Sequence, residues 1–276
     1  MSSKCLECRP ASLGVMPGRA NLEPGAMNVY DIRIPKKALQ SLPDREQVLV
    51  LQFGHVCNEL SFLNKLLTVV SDTESQGLKK KAMAAQSMIV VRLYIGKVFE
   101  AWKMIERDYF ASQLCRSIDA RLGPEGQKAL EALKQYFGKS NLLSTVRNQF
   151  SFHYWSEHLP DAMNAFPDSH EFSLMLQKTY TNTLHTYAED IATVAMLQAT
   201  GERDAKAAMD RVVGDLIAVS GKMIDFLGSG LAAVLAEFLG KSWGDFEHTV
   251  HSVEPDANME TFKLPFFFDL NKQRVP

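Results

Sequence analysis

Cysteine is scarce in this sequence: four in 276 residues, at Cys5, Cys8, Cys57 and Cys115. Two lie in a lead-in punctuated by Pro and Gly and two inside apolar helical patterns, unlike the dense, even spacing of a secreted disulfide scaffold. A reducing, cytoplasmic compartment is the expectation, and no basic stretch followed by an apolar run near the N-terminus argues for export. An excess of charge of one sign is also missing, since 30 Lys plus Arg against 32 Asp plus Glu leave a net charge of −2. No global field therefore draws the whole molecule to nucleic acid or anionic lipid, so any such contact has to be a local patch. Long uncharged runs are lacking too. Segments 82–91 and 226–236 stop short of the roughly 18 apolar residues that span a bilayer, which argues against a membrane protein. Gly-rich phosphate loops, Gly-x-Ser-x-Gly and the kinase and zinc-protease signatures are all absent. Cys5-Leu6-Glu7-Cys8 is half of a zinc knuckle with no second pair to complete a tetrahedron, so neither metal nor cofactor is expected.

What is present is helical periodicity in a chain that is 46% hydrophobic, long enough to bury a sizeable core. Residues 1–27, with Pro10, Pro17 and Pro24 among glycines, read as a disordered tail, and 28–276 as a single helical-bundle domain. Val29–Ile34 alternates enough for a short strand ending at Pro35. Asp44, with Gln47 three residues on, is placed as the N-cap of a helix running to about Val70. A second helical pattern runs from Gln76 to about Ile118, with a break expected near Phe110–Gln113. Gly123-Pro124 stops it and opens a third helix, Pro124–Phe137. A fourth begins at Ser140 or Asn141 and continues through Tyr154 until Pro160 ends it, followed by a loop over 160–170. The alternation of Phe172–Leu176 fits a short extended segment, leaving strand or loop open around 172–182. Two more helices, Leu184–Ala199 and Asp204–Leu239, complete the pattern, the last with a weak point at Gly228-Ser229-Gly230. Long amphipathic helices with short connections make an all-α, up-and-down bundle with short extended segments at the N-terminus and around 172–182.

Within the fourth helix stands Val146-Arg147-Asn148-Gln149-Phe150-Ser151-Phe152-His153-Tyr154. An Arg, a polar residue beside it, five intervening residues in all and then a His, near the end of an amphipathic helix in a helical bundle, resembles the HEPN superfamily. The resemblance covers this motif and its helical setting. It implies a HEPN-like bundle, a symmetric homodimer in which the motif helices of two chains face each other, and metal-independent cleavage of RNA, with Arg147 and His153 at the shared cleft and Asn148 at the polar position. A dimer suits the residues as well. Six residues of ideal α-helix leave Arg147 and His153 about 120° apart and about 9 Å along the axis, so one helix alone makes a poor site.

The chemistry of the two side chains fits attack by RNA's own 2′-hydroxyl. Imidazole, with an unperturbed pKa of about 6.5, exchanges a proton at neutral pH, and a guanidinium pairs with the phosphate as charge builds. Ser151 stands in the same turn as a supporting residue. Glu157, four residues after His153, is placed to accept the imidazole N–H and fix its tautomer. The alternative is a non-catalytic HEPN-like module that binds a partner protein or small ligand in the same groove. A third reading pools His55/Glu59, His153/Glu157 and His185/Glu189 into a metal site, although ordinary i,i+4 helix pairs account for the same spacing. Lys79-Lys80-Lys81 reads as a solvated helix face, and Met88, Met104 and Met163 as core filling. Leu264-Pro265-Phe266-Phe267-Phe268 reads as an apolar strap on the bundle, or as a partner site.

Overall fold

The computed structural model describes residues 27–71, 74–111, 114–151, 157–178, 180–255, 258 and 261–268; the Cys5/Cys8 pair and the expected disordered tail lie outside them, except Met27, which opens the first strand. The described chain is all-α apart from one two-stranded sheet. Its elements are β1 (Met27–Ile32), α1 (Lys36–Gln40), α2 (Asp44–Val70), α3 (Gly77–Met104), α4 (Leu114–Asp119), α5 (Pro124–Phe137), α6 (Leu142–Val146), α7 (Leu159–Asn164), α8 (Thr186–Gln198), α9 (Ala205–Leu239) and β2 (His248–Val253). A π-helical stretch, Ile105–Phe110, prolongs α3, and another, Arg147–Ser151, prolongs α6.

The long helices stand where their apolar stripes and end signals put them. α2 has the expected span, but Asp44 is its first helical residue and Pro43 its N-cap; no side chain caps it, and Gln47 instead ties the entry by donating its Nε2 to the Leu42 carbonyl at 2.6 Å. α5 begins at Pro124 behind Gly123, where a missing N–H costs nothing. Asp204 caps α9 by accepting from the Ala207 N–H at 2.7 Å, and Gly240 ends it in the left-handed conformation. The second helical pattern breaks at Ala111, as expected.

Two expectations are corrected, and two segments that were unmarked or left open take form. Pro160 opens α7 rather than closing the helix before it, so 160–170 is not simply loop. The fourth helix is α-helical only over Leu142–Val146 before it widens into the π-helical turn. β1 pairs antiparallel with β2, with Met27 opposite Val253 and Ile32 opposite His248, and the second strand was not anticipated. The segment at 172–182 contributes one isolated bridge, Met175 with Leu184, rather than a strand.

The core is one continuous apolar body between α2, α3, α5 and α9. α3 is its axis: Tyr94, Ile95, Val98, Trp102 and Ile105 are all buried. Trp102 stacks on Phe137 of α5 with centroids 4.7 Å apart, and Phe53 of α2 meets Phe226 of α9 edge-on at 5.8 Å. Length and composition alone would let two helical stretches cross a membrane, Gly77–Phe110 and Ala205–Leu239, a reading the uncharged runs had argued against. Here they are packed helices, with 61% and 44% of their apolar windows buried inside the bundle. Met88 and Met104 fill the core as expected, whereas Met163 is half exposed.

Gly228-Ser229-Gly230 is no weak point; α9 runs straight through it. A Cβ on Gly230 would stand 2.7 Å from the Phe53 ring, and one on Gly126 of α5 would stand 2.5 Å from the Ser229 Cβ. The small residues therefore set how closely α2 and α5 approach α9. The Leu264–Phe268 segment does lie as a strap: the Leu264 N–H donates to the Val69 carbonyl at 2.8 Å and Gln86 Nε2 to the Leu264 carbonyl at 3.2 Å. Phe266 and Phe267 cover a small second cluster of Ala82, Ala85, Met175 and Leu184, and buried Asn182 exchanges two hydrogen bonds with the Phe268 backbone.

Gly230→Ala is expected to destabilise the protein by about 1–3 kcal/mol through overpacking against the fully buried Phe53 ring. Urea denaturation should show a lower midpoint with an unchanged slope; an unchanged midpoint would mean that the two helices are not in close contact there.

Candidate functional site

Asn141 caps α6, its Oδ1 accepting from the Ser144 N–H at 2.9 Å, and Leu142, Leu143 and Val146 anchor that helix in the core. Behind this anchor the backbone opens into the π-helical turn Arg147–Ser151. Such single turns of i→i+5 pairing are uncommon and occur frequently at functional sites. They also change the phase of the helix, so the angle between positions 147 and 153 of an ideal α-helix does not apply here.

Arg147 lies beside α3. Its Nε donates to Glu100 Oε1 at 3.1 Å, its Nη2 donates to the same oxygen, and its Nη1 donates to Asn148 Oδ1 at 3.1 Å. The guanidinium also covers the ring of Phe99, with Cζ 4.9 Å from the centroid. Lys103 Nζ lies against the same ring at 5.4 Å while pairing with Glu106 at 2.7 Å. The Arg147 side chain is 24% exposed and that of Glu100 47%, which puts the pair at the surface. Asn148 is exposed, and Ser151, half-buried, has a hydroxyl sealed from solvent with no hydrogen-bond partner among the described residues.

His153 lies outside the described residues. Glu157, placed by helical spacing four residues after His153, sits exposed in a turn leading to α7. Arg147 and Asn148 are therefore brought together, with Ser151 in the same turn, while Glu157 is on a separate element. Phe99, Glu100 and Lys103 escaped the sequence reading. Their i,i+4 and i,i+3 spacing marks one edge of α3, but no local signal sets that edge beside α6.

Among the described residues the metal reading finds no supporting geometry, and its His153 lies outside them. Glu59 is taken by Lys97 at 2.6 Å, with His55 at 3.7 Å. Glu189 is taken by Arg92 at 2.5 Å in a half-buried pair between α8 and α3. Among the described residues no three His, Cys, Asp or Glu side chains converge as a metal would require. Lys79, Lys80 and Lys81 are all exposed.

A second feature adjoins the Arg147 edge of α3. Leu93, Lys97 and Glu100 fall on one face of α3, and an apolar groove of about 200 Å³ opens between α3 and α2, lined by Glu59, Phe62, Leu63, Leu93 and Lys97. Phe62 is 63% exposed and Leu93 41%, and Val48 and Leu51 extend the exposed apolar surface along α2. No family model, curated protein or solved structure matches the chain.

Cys57 and Cys115 form no disulfide among the described residues. Burial pushes the Cys57 thiol up to about 11, which removes it as a nucleophile near neutrality. Because its pKa is raised in the folded state, the associated stability is present below the unfolded value and is lost as pH rises from about 9 towards 11. Iodoacetamide at pH 8.5 is therefore expected to leave Cys57 unmodified in the native protein and to label it in urea, as read by peptide mass mapping. Rapid native labelling would contradict its burial.

Proposed function

We propose that this chain is a HEPN-like, metal-independent endoribonuclease of the cytoplasm. Arg147 binds the scissile phosphate, His153 moves the proton, and Asn148 orients the guanidinium. The observation that carries the reading is the placing of Arg147: a cation at the surface of a helical bundle, on a π-helical turn, fanned between Asn148 and the face of Phe99. In cleavage, the 2′-oxygen attacks the adjacent phosphorus and its proton passes to a base. The 5′-oxygen of the next nucleotide leaves with a proton, and the 2′,3′-cyclic phosphate remains. Negative charge grows on the non-bridging oxygens, where a guanidinium offers two N–H groups in the geometry a phosphate accepts. Nothing in this scheme calls for a metal.

The active unit is a symmetric homodimer that joins two copies of the motif. The exposed apolar edge of α2 and α3 supports this arrangement, since it runs from Phe62 and Leu93 past Lys97 to Glu100, next to Arg147. A two-fold axis through that edge buries the apolar residues and sets the two Arg147 side chains on one cleft.

A second reading has one specific observation in its favour. Glu100 already neutralises Arg147, as suits a HEPN-like module that no longer cuts and holds a partner protein or small ligand instead.

Purified protein is expected to cleave single-stranded RNA in the presence of EDTA and to leave 2′,3′-cyclic phosphate ends. His153→Ala should lower the rate by about 10²–10⁴-fold, the usual worth of a positioned acid or base. Undiminished cleavage by that variant, or dependence on added metal, would refute the enzyme reading, and dimerisation without cleavage would favour the second. In sedimentation, the wild-type chain should run as a dimer and Leu93→Glu as a folded monomer; a dimer that survives this substitution places the interface elsewhere.

A further inference from the structure

We propose that Glu100 is a built-in gate on Arg147, a carboxylate standing where a phosphodiester of single-stranded nucleic acid docks. The inference rests on the reading of Arg147 as a phosphate-binding residue. It adds a residue outside the Arg-x5-His motif that controls access to it.

A guanidinium binds oxyanions best along an edge, where two N–H groups point the same way. In Arg147 the Nε/Nη2 edge is spent on Glu100 Oε1, while one N–H of Nη1 goes to Asn148 Oδ1. One ring face is closed by Phe99. The guanidinium cannot offer this paired edge to a phosphate unless Glu100 leaves, and the carboxylate repels an incoming anion while it stays. Glu100 is free to do so. Its side chain is 47% exposed, it comes from the solvent side of α3, and an ion pair at the surface holds its carboxylate only weakly. Arg147 is the less mobile partner, 24% exposed, packed on a buried ring and carried by a helix anchored in the core. Phe99 thus keeps the cation in place when the carboxylate swings out, and Lys103, against the same ring, adds positive potential to the vacated position.

The same pairing hides Arg147 from weak or solitary anions. A polymer that brings several phosphates gains enough from its other contacts to displace one surface carboxylate, whereas a free anion does not.

The test measures fluorescence anisotropy of a labelled single-stranded 2′-deoxyoligonucleotide with the full chain. This probe lacks the 2′-hydroxyl, so binding is read apart from cleavage. Glu100→Gln should bind about fivefold more tightly than wild type, the worth of one exposed ion pair. Its log-log salt dependence should be steeper by about one phosphate contact. Arg147→Gln combined with Glu100→Gln should erase both gains, and Glu131→Gln, which removes an exposed carboxylate on α5, should produce neither. The gate is overturned if Glu100→Gln binds as wild type does, if the gain survives in the double variant, or if Glu131→Gln gives the same gain. It is also overturned if Glu100→Gln and Glu100→Ala both fail to fold, because Glu100 is then part of the framework. Tighter binding by Glu100→Gln with no cleavage of any RNA leaves the gate standing and removes the nuclease.

Discussion

The contact between the Phe53 ring and the bare backbone of Gly230 fixes how close α2 and α9 stand, and the rest of the bundle is built around that distance. Phe53 also meets Phe226 and Tyr109, so one fully buried ring links α2, α9 and the π-helical end of α3. On another face of α9, Gly126 leaves room for the Ser229 side chain, and α5 closes the layer with Phe137 stacked on Trp102. Beyond its exposed first turns α3 is largely enclosed, and a narrow edge carrying Leu93, Lys97, Glu100 and Lys103 is left at the surface. Arg147 lands on this edge because α6 is too short and too apolar to sit anywhere but against the core.

Two kinds of stability meet at that edge. The apolar contacts of α3 are deep, insensitive to salt and costly to disturb. The ion pairs above them, Lys97 with Glu59, Lys103 with Glu106 and Arg147 with Glu100, are exposed and individually weak. A rigid floor under loosely held charges suits a surface that exchanges internal partners for an external anion without unfolding anything. The π-helical turn extends this logic to the backbone, since its looser pairing leaves Ser151 with a hydroxyl that has no partner among the described residues.

The sequence announced those parts of the fold whose determinants are local. α2 and α5 were legible because a helical stripe was framed by Pro43 and Gly123-Pro124, and the break after α3 because a helical pattern of about 40 residues exceeds the usual globular length. Pro160 misled because proline serves equally to open a helix and to end one. β2 was invisible for a different reason. Five of its six residues are exposed, so no alternation of apolar and polar marks it, and its partner lies more than 200 residues away. Gly228-Ser229-Gly230 looked like a hinge from propensity alone, yet close packing against Phe53 and Gly126 outweighs the intrinsic cost of glycine in a helix. At the site, Arg147, Asn148 and Ser151 came from a motif, and the π-helical turn that holds them has no sequence signature. Glu100, 47 residues away, was beyond any local pattern.

The account comes down to whether Arg147 trades its carboxylate for a phosphate in a cleft shared by two chains. The most direct measurement is a crystal structure of the protein with a short 2′-deoxyoligonucleotide. The account predicts a two-fold dimer, a phosphate oxygen within about 3 Å of the Arg147 guanidinium, Glu100 turned to solvent and His153 facing the same phosphorus. Arg147 still closed on Glu100, with the oligonucleotide bound elsewhere and His153 directed away, would contradict it.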